Sequence, residues 1–109
     1  MKAKDLRIGN YIRLKDCERI YSAAVITPRK IGFHHGNDKS RIYYRKYCEI
    51  EPVKIREVHD LLPNIPQLLW VDKPLCDDLY YYSGVVITDL HELQNLHHAL
   101  TGNEIDIEL

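Results

Sequence analysis

A helix signature near the C-terminus constrains the fold more strongly than any other part of this sequence. Asp89 is a favourable N-cap residue, Glu92 three positions later completes a capping box, and Gly102 is typical of a left-handed helix terminator. The residues between them form one apolar stripe at 3.6 residues per turn: Leu90, Leu93, Leu96, His97 and Leu100. The pattern therefore predicts an amphipathic helix over residues 89–101 that packs on a sheet.

The segments around this helix predict the sheet partners. Residues 79–82 and 85–87 are rich in Tyr, Val and Ile and flank Ser83-Gly84, which is typical of a tight hairpin. Residues 104–109 alternate acidic and apolar side chains, as an exposed edge strand does. Residues 56–62 have helical spacing that Pro63 ends, whereas residues 67–71 fit either a strand or a short turn of helix.

The first half of the chain predicts only short strands. Segments rich in β-formers alternate with turn residues. The strand candidates are residues 6–14, which contain a Gly-Asn turn signal, and residues 20–26, 30–34, 41–50 and 52–55. A polar cluster at residues 35–40 is expected to reverse the chain. We therefore predict one α+β domain over residues 1–109. It begins with a small SH3-like β-barrel or bent antiparallel sheet and continues with the hairpin, the capped helix and the edge strand.

Charge divides the chain into a basic part (residues 1–56) and an acidic part (residues 57–109). The basic part holds 14 Lys and Arg against 6 Asp and Glu, whereas the acidic part holds one Lys against 10 Asp and Glu. Such asymmetry indicates a polyanionic or oppositely charged partner. Several acidic residues have local structural roles as helix caps or edge protection, so the basic part is the more informative one.

One row of side chains gives this charge a candidate chemistry. If residues 41–50 form a strand, then Arg41, Tyr43, Arg45 and Tyr47 share one solvent-facing side, and the more apolar side carries Ile42, Tyr44, Lys46, Cys48 and Ile50. Guanidinium groups suit phosphates, and aromatic faces suit unpaired bases. The same residues are also typical of cross-strand pairs and of edges protected against aggregation. The row is our candidate site for nucleic acid or a protein partner.

The sequence contains no motif for a metal, a cofactor or catalysis. His91 and His98 lie seven residues apart on the predicted helix, about 10.5 Å along its axis, which is too far for two ligands of one zinc ion. His97 lies in the apolar stripe and is expected to be a hydrogen-bonded core histidine. Cys48 is expected to be a small buried thiol, and Asp77-Asp78 a solvated turn. We therefore expect no cofactor, no metal site and no enzymatic activity.

The chain is expected to be a soluble cytoplasmic protein. Cys17, Cys48 and Cys76 are odd in number and contain no C-x-x-C pair, which favours reduced thiols. The N-terminal residues lack the apolar stretch of a signal peptide, and no run approaches the roughly 20 apolar residues that span a bilayer.

Both ends of the chain resemble a group of small proteins from gut Bacteroidetes and their phages or prophages. The resemblance rests on residues 6–12 (L-R-I-G-N-Y-I) and 90–104 (L-H-E-L-Q-N-L-H-H-A-L-T-G-N-E), and more loosely on residues 51–55. His97 stands where that group usually has Tyr, and Arg56 stands where it usually has a Thr helix cap. The resemblance implies a mobile-element or phage context, without implying a substrate.

These observations together predict a non-enzymatic binding or adaptor protein whose basic-aromatic surface contacts nucleic acid. The alternative is a protein that binds another protein, or itself as a homo-oligomer, through its oppositely charged regions. An enzyme is the third class, and it would require a pocket in which a Cys or His meets a carboxylate.

Overall fold

The chain has an α+β fold with antiparallel sheets and one C-terminal helix, as the sequence predicts. The structure is a computed structural model that describes residues 1–35, 38–71 and 79–107. The chain divides into two compact units, Met1–Val53 (unit 1) and Lys54–Leu109 (unit 2). Unit 1 contains 12 Lys and Arg against 6 Asp and Glu, and unit 2 contains 3 against 10. The charge asymmetry therefore follows the structural division closely.

Unit 1 is a five-stranded antiparallel sheet in the order β4-β3-β2-β1-β5. Its strands are β1 (Tyr11–Leu14), β2 (Ile20–Ile26), β3 (Lys30–His35), β4 (Asp38–Lys46) and β5 (Ile50–Pro52). Two 3-10 turns, Ala3–Asp5 and Tyr47–Glu49, precede β1 and β5. Within the described residues β4 and β5 form the two edges and do not pair with each other, so the sheet is open. The barrel alternative is therefore wrong, and the antiparallel sheet is confirmed.

The core of unit 1 forms on one face of this sheet. Tyr21 on β2 lies opposite Ile12 on β1, and Phe33 on β3 lies opposite Ala23 on β2. Since paired residues point to the same side of a sheet, these four side chains form one layer. The complete cluster of buried side chains is Leu6, Ile12, Tyr21, Ala23, Ile31, Phe33 and Ile50.

The segment L-R-I-G-N-Y is a turn that leads the chain into β1. Gly9 has a φ of 95°, a left-handed conformation that glycine adopts without steric cost. Asn10 is fully buried, and its side-chain oxygen accepts a hydrogen bond of 2.7 Å from the backbone N–H of Arg7. Leu6 and Ile12 on either side of the turn enter the core. The residues that carry the resemblance at this end therefore have structural roles.

Unit 2 contains a three-stranded antiparallel sheet in the order β6-β7-β8. Its strands are β6 (Leu68–Val71), β7 (Leu79–Tyr82) and β8 (Val85–Ile87). Of the two predicted alternatives for residues 67–71, the strand is therefore confirmed for residues 68–71. The predicted hairpin is confirmed: Ser83 and Gly84 connect β7 to β8 with φ angles of 49° and 85°, as a type I′ turn requires. The predicted short helix at residues 56–62 is instead two 3-10 turns, Ile55–Glu57 and His59–Leu61.

Helix α1 (Leu90–Thr101) has the predicted ends. Its N-cap is Asp89, whose backbone N–H donates to the carboxylate of Glu92 at 3.1 Å, and Gly102 ends it with a φ of 75°. Its buried face is rotated from the predicted stripe, because Leu90, His91, Leu93 and Gln94 are buried whereas Leu100 is 61% exposed. His97 is hydrogen-bonded as expected, with its Nδ1 2.7 Å from the Tyr82 hydroxyl.

After α1, the alternating acidic and apolar residues 104–107 are alternately exposed and buried, although they do not form a strand. Ile105 and Ile107 are buried, and Glu104 and Asp106 are exposed. No strand forms over residues 104–107, so the predicted edge strand is wrong for this part of its length. Residues 108 and 109 lie outside the described residues.

Two histidines form hydrogen bonds with tyrosine hydroxyls in unit 2. Tyr80 and Tyr82, on the buried face of β7, are hydrogen-bonded to Nδ1 of His59 at 3.1 Å and of His97 at 2.7 Å, respectively. The His59 ring also lies against Trp70, with the ring centroids 4.4 Å apart. Both histidines therefore have roles in packing. Among the described residues no helix is long and apolar enough to cross a membrane.

Candidate functional site

The Arg41–Tyr47 row begins on β4, the exposed edge strand of unit 1. The register pairs Tyr43 with Phe33 and Arg45 with Ile31 across β3 and β4. Phe33 and Ile31 are buried in the core, and paired residues share a face. Tyr43 and Arg45 therefore extend the core-bearing face of the sheet outward to its edge.

This placement corrects the predicted assignment of the two faces of β4. Ile42 and Tyr44, which were expected to point inward, are 41% and 48% exposed on the opposite face. They cover Gly32 on β3 so closely that a Cβ atom there would lie 2.9 Å from a carbon of each. The more apolar face of β4 was predicted to point towards the core, but it does not. An edge strand exposes both of its faces, so apolar content alone does not identify the buried one.

Tyr43 and Arg45 lie at the rim of an aromatic pocket in unit 1. The pocket has a volume of about 230 Å³ and is lined by Leu14, Tyr21, Phe33, Tyr43 and Arg45. Phe33 and Tyr21 are almost fully buried, whereas Tyr43 is 39% exposed. The pocket thus has a buried aromatic floor, one exposed aromatic ring and one cation.

Three aromatic side chains on neighbouring strands contact one another along this face. The Tyr21 and Phe33 ring centroids are 4.7 Å apart with the planes tilted by 55°, and the Phe33 and Tyr43 centroids are 6.2 Å apart at 28°. Such spacings are those of favourable aromatic pairs. The rings on β2, β3 and β4 therefore form a continuous row of aromatic contacts that ends at the exposed ring of Tyr43.

The Tyr21 hydroxyl adds a polar group to the pocket. Burial raises the pKa of Tyr21, and the neighbouring Cys17 thiol, which hydrogen-bonds to it, raises it further. The positive charges of Arg19 and Arg45 act in the opposite direction and lower the pKa. The hydroxyl therefore remains protonated at neutral pH.

The guanidinium group of Arg45 is held in a defined position. Its Nη1 donates to the Tyr44 carbonyl oxygen at 2.8 Å, and its Nε lies 4.0 Å from a carboxylate oxygen of Glu49. Both partners in the ion pair are nearly half exposed, so it contributes little to stability. It does orient the planar group at the rim of the pocket.

The other two residues of the row have different surroundings. Arg41 is exposed on β4. Tyr47 does not continue the row, because β4 ends at Lys46 and Tyr47 begins a 3-10 turn. Its ring packs against the core of unit 1, and its hydroxyl donates to the Thr27 carbonyl oxygen at 2.5 Å. Burial raises the pKa of Tyr47.

The cysteines and histidines do not assemble a second site in the described residues. Cys17 is partly buried, and Cys48 is exposed in the 3-10 turn after β4 rather than buried as predicted. Residues 1–35, 38–71 and 79–107 contain no group of three or more His, Cys, Asp or Glu side chains that could hold a metal ion. Cys76 and Asp77-Asp78 lie outside the described residues.

Sequence reasoning found the rim of the pocket and missed its floor. Leu14, Tyr21 and Phe33 come from three other strands, and each looks like an ordinary core residue in the sequence. Their position under Tyr43 depends on the pairing of β2, β3 and β4. Only the row of alternating Arg and Tyr gave a local signal.

Comparison with known proteins adds no relative. No protein-family model matches the chain, and no curated protein and no solved structure matches it.

Proposed function

We propose that this protein is a non-enzymatic binding protein that binds single-stranded nucleic acid through the aromatic pocket and edge strand β4 of unit 1. The observation that carries the proposal is the position of Tyr43 and Arg45 at the rim of a pocket with an aromatic floor. An aromatic platform beside a cation is the arrangement with which proteins stack unpaired bases and contact the adjoining phosphates.

The size of the pocket favours one base as its occupant. Its volume of about 230 Å³ is below the range of roughly 300–1,000 Å³ that is typical of pockets for drug-sized ligands. A base in a duplex is stacked and paired, and so could not enter without being unstacked. The pocket therefore suits a single strand whose bases are already accessible.

The charge on unit 1 supports an anionic ligand. The unit has six more basic than acidic residues, with 12 against 6, and Arg41 and Arg45 lie two residues on either side of Tyr43 along β4. At about 3.3 Å per strand residue, the Cα atoms of the two arginines lie roughly 13 Å apart. A backbone that follows β4 would contact both guanidinium groups while a base stacks on the tyrosine between them.

The pocket lining supports binding rather than catalysis. The described residues that line it include neither a carboxylate nor a histidine that could act as a general base, and burial raises the pKa of one of its two tyrosine hydroxyls, that of Tyr21. The five-stranded order, in which β5 returns to pair with β1 after a 3-10 turn, supports an SH3-like interpretation of unit 1. The resemblance of the chain ends to phage-associated proteins would give this binding a mobile-element setting.

A protein partner is the second candidate because β4 is an edge strand. Such a strand offers unpaired backbone N–H and C=O groups to an added peptide strand. The arginines of β4 favour an acidic peptide, and they disfavour antiparallel self-pairing centred on Tyr43, since Arg41 of one copy would then lie opposite Arg45 of the other.

The decisive experiment measures binding of a dye-labelled ten-nucleotide thymidine strand by anisotropy at several salt concentrations. Replacing Tyr43 with Ala should remove one stacked base, worth about 1–3 kcal/mol or roughly 5- to 150-fold in affinity. The matched control is Tyr44→Ala, which removes an exposed tyrosine from the opposite face of the same strand. The double variant Arg41→Gln/Arg45→Gln should lower affinity and flatten its salt dependence.

Three outcomes would contradict the proposal. The first is that the unmodified protein does not bind the strand at low salt. The second is that the Tyr43 and Tyr44 variants lose equal affinity. The third is that the salt dependence of binding is unchanged in the double arginine variant. Saturable binding of an acidic peptide in place of the oligonucleotide, lost with the same arginines, would favour the second candidate.

A further inference from the structure

We propose that one face of the β6-β7-β8 sheet in unit 2 is a docking surface for a short amphipathic helix of another protein, and that the polar side of this helix is basic. The surface, which we call the outer face, is the side of the sheet opposite the buried tyrosines of β7, Tyr80 and Tyr82. It belongs to unit 2, whereas the proposed nucleic-acid site belongs to unit 1, so the two proposals are independent.

The strand register defines the side chains of the outer face. Tyr81 pairs with Leu69 on β6 and with Val86 on β8, and Leu79 pairs with Val71. Successive residues of a strand point to opposite sides of a sheet, and paired residues point to the same side. These five side chains therefore share the side opposite the buried tyrosines.

The outer face is apolar although solvent reaches it. Leu69 and Val86 are 61% and 53% exposed, and all five of its residues are aliphatic or aromatic. An antiparallel sheet with one solvated face normally alternates apolar and polar side chains, whereas strands that are apolar on both sides are typical of a sheet covered on both faces. The strands β6, β7 and β8 (L-L-W-V, L-Y-Y-Y and V-V-I) have the second pattern, which indicates a covering element on the outer face as well.

The dimensions of the outer face fit one helix. Three strands about 4.8 Å apart give a width of about 10 Å, and four residues at about 3.3 Å each give a length of about 13 Å. An α-helix is about 10–12 Å in diameter and rises about 5.4 Å per turn, so two to three turns cover this area. The buried face of the same sheet already contacts a helix of this kind, because His97 of α1 is hydrogen-bonded to Tyr82 at 2.7 Å.

Area and charge both argue against a second copy of this chain as the occupant. A face of about 10 by 13 Å supplies only a small part of the roughly 800 Å² that each partner buries in a stable interface. Unit 2 contains 3 Lys and Arg against 10 Asp and Glu, so two copies that met through it would bring like net charges together. The same acidic charge favours a helix whose apolar stripe is flanked by Lys and Arg.

The test uses two dye-labelled twelve-residue peptides with the same content of Leu and Lys, and binding is measured by anisotropy. In the first peptide the leucines follow helical spacing and form one stripe, whereas in the second they are spread evenly around the helix. The first peptide should bind saturably and at least about tenfold more tightly, because only its leucines can lie on the outer face together. This comparison changes only the ligand and does not depend on the folding of any variant.

Two protein variants locate the binding surface. Leu69→Gln should weaken binding of the striped peptide by about 5- to 30-fold, since it removes a largely exposed leucine from the outer face. Val86→Thr keeps the branched shape and the strand preference and should also weaken binding. The matched control is Leu100→Gln, because Leu100 lies on α1 and is also 61% exposed; its affinity should be unchanged. Circular dichroism checks that each variant is folded.

The outcomes distinguish the helix from other occupants. Absence of saturable binding, equal affinity for the two peptides, or equal losses for Leu69→Gln and Leu100→Gln would each overturn the proposal. A mass in sedimentation that rises with protein concentration, and no longer does so in Leu69→Gln, would overturn it in favour of a second copy. Single-strand binding by unit 1 is measured with the oligonucleotide alone, so its success or failure is scored separately.

Discussion

Removing the hydroxyl of Tyr82 is expected to destabilise unit 2 by about 1 kcal/mol. The side chain is fully buried on β7, and its hydroxyl is 2.7 Å from Nδ1 of His97 on α1. Tyr82→Phe keeps the ring and its edge-on contact with the imidazole, whose centroid is 5.7 Å away. It therefore creates no large cavity, and the change isolates one hydrogen bond.

The magnitude follows from what each partner loses. A buried hydrogen bond contributes a net 0.5–1.5 kcal/mol or so, and a buried polar atom left unpaired costs about 1–3 kcal/mol. His97 is only partly buried, so water can reach its ring and the cost stays near the lower limit. The expected loss in the free energy of unfolding is thus about 1 kcal/mol.

The assay is urea unfolding followed by far-ultraviolet circular dichroism. Tyr81→Phe is the matched control, because Tyr81 is the neighbouring residue on the opposite face of β7 and is only partly buried; its effect should stay within about 0.5 kcal/mol. A double-mutant cycle of Tyr82→Phe with His97→Leu should give a coupling energy of about 1 kcal/mol. A coupling near zero, or equal effects of the two tyrosine substitutions, would refute the reasoning.

Three further predictions concern stability and can be checked by urea unfolding. Ser83→Asn should stabilise the β7–β8 hairpin by a few tenths of a kcal/mol, because Asn tolerates the φ of 49° better than Ser; a loss of stability would contradict the type I′ turn. Asp89→Ala should cost about 1–2 kcal/mol, since it removes the N-cap of α1 and the 3.0 Å ion pair with Lys54, and a cost below about 0.3 kcal/mol would show that the cap is dispensable. Burial raises the pKa of Tyr21, Tyr47 and Tyr82 in the folded state above the unfolded value of about 10. The stabilisation that these tyrosines provide is therefore complete below about pH 10 and is lost as the pH rises through their folded pKa values. A urea midpoint that stays constant between about pH 9 and 11 would contradict this prediction.

Local patterns predicted the elements whose causes are local. Strand β2 and the β7–β8 hairpin lie where β-forming residues and the Ser83-Gly84 turn indicated, and α1 begins at its capping box and ends at Gly102. In each case the deciding interactions lie within a few residues of one another, so they can be read from the sequence.

The errors arise where packing or backbone geometry overrides the pattern. Strand β4 ends before Tyr47 because the Tyr47 ring joins the core, while the Glu49 carboxylate accepts a hydrogen bond from the backbone N–H of Lys46. The expected helix at residues 56–62 is interrupted at Val58, whose φ of −120° and ψ of 13° are not helical. Neither effect is visible in the spacing of apolar residues.

The candidate site was predictable only in part, because it combines one local row with distant residues. Tyr43 and Arg45 could be found by alternation along β4, but Tyr21 and Phe33 reach the pocket only through the register of β2, β3 and β4. A one-residue shift in that register would move the whole row to the other face of the sheet.

The contact between Trp70 and His59 gives unit 2 a built-in optical reporter. Trp70 is the only tryptophan in the chain, and its ring centroid lies 4.4 Å from that of His59. Intrinsic tryptophan emission therefore arises from unit 2, while unit 1, which has no tryptophan, contributes only tyrosine emission. The natural sequence thus allows the surroundings of Trp70 in the acidic unit to be followed without a label or a mutation.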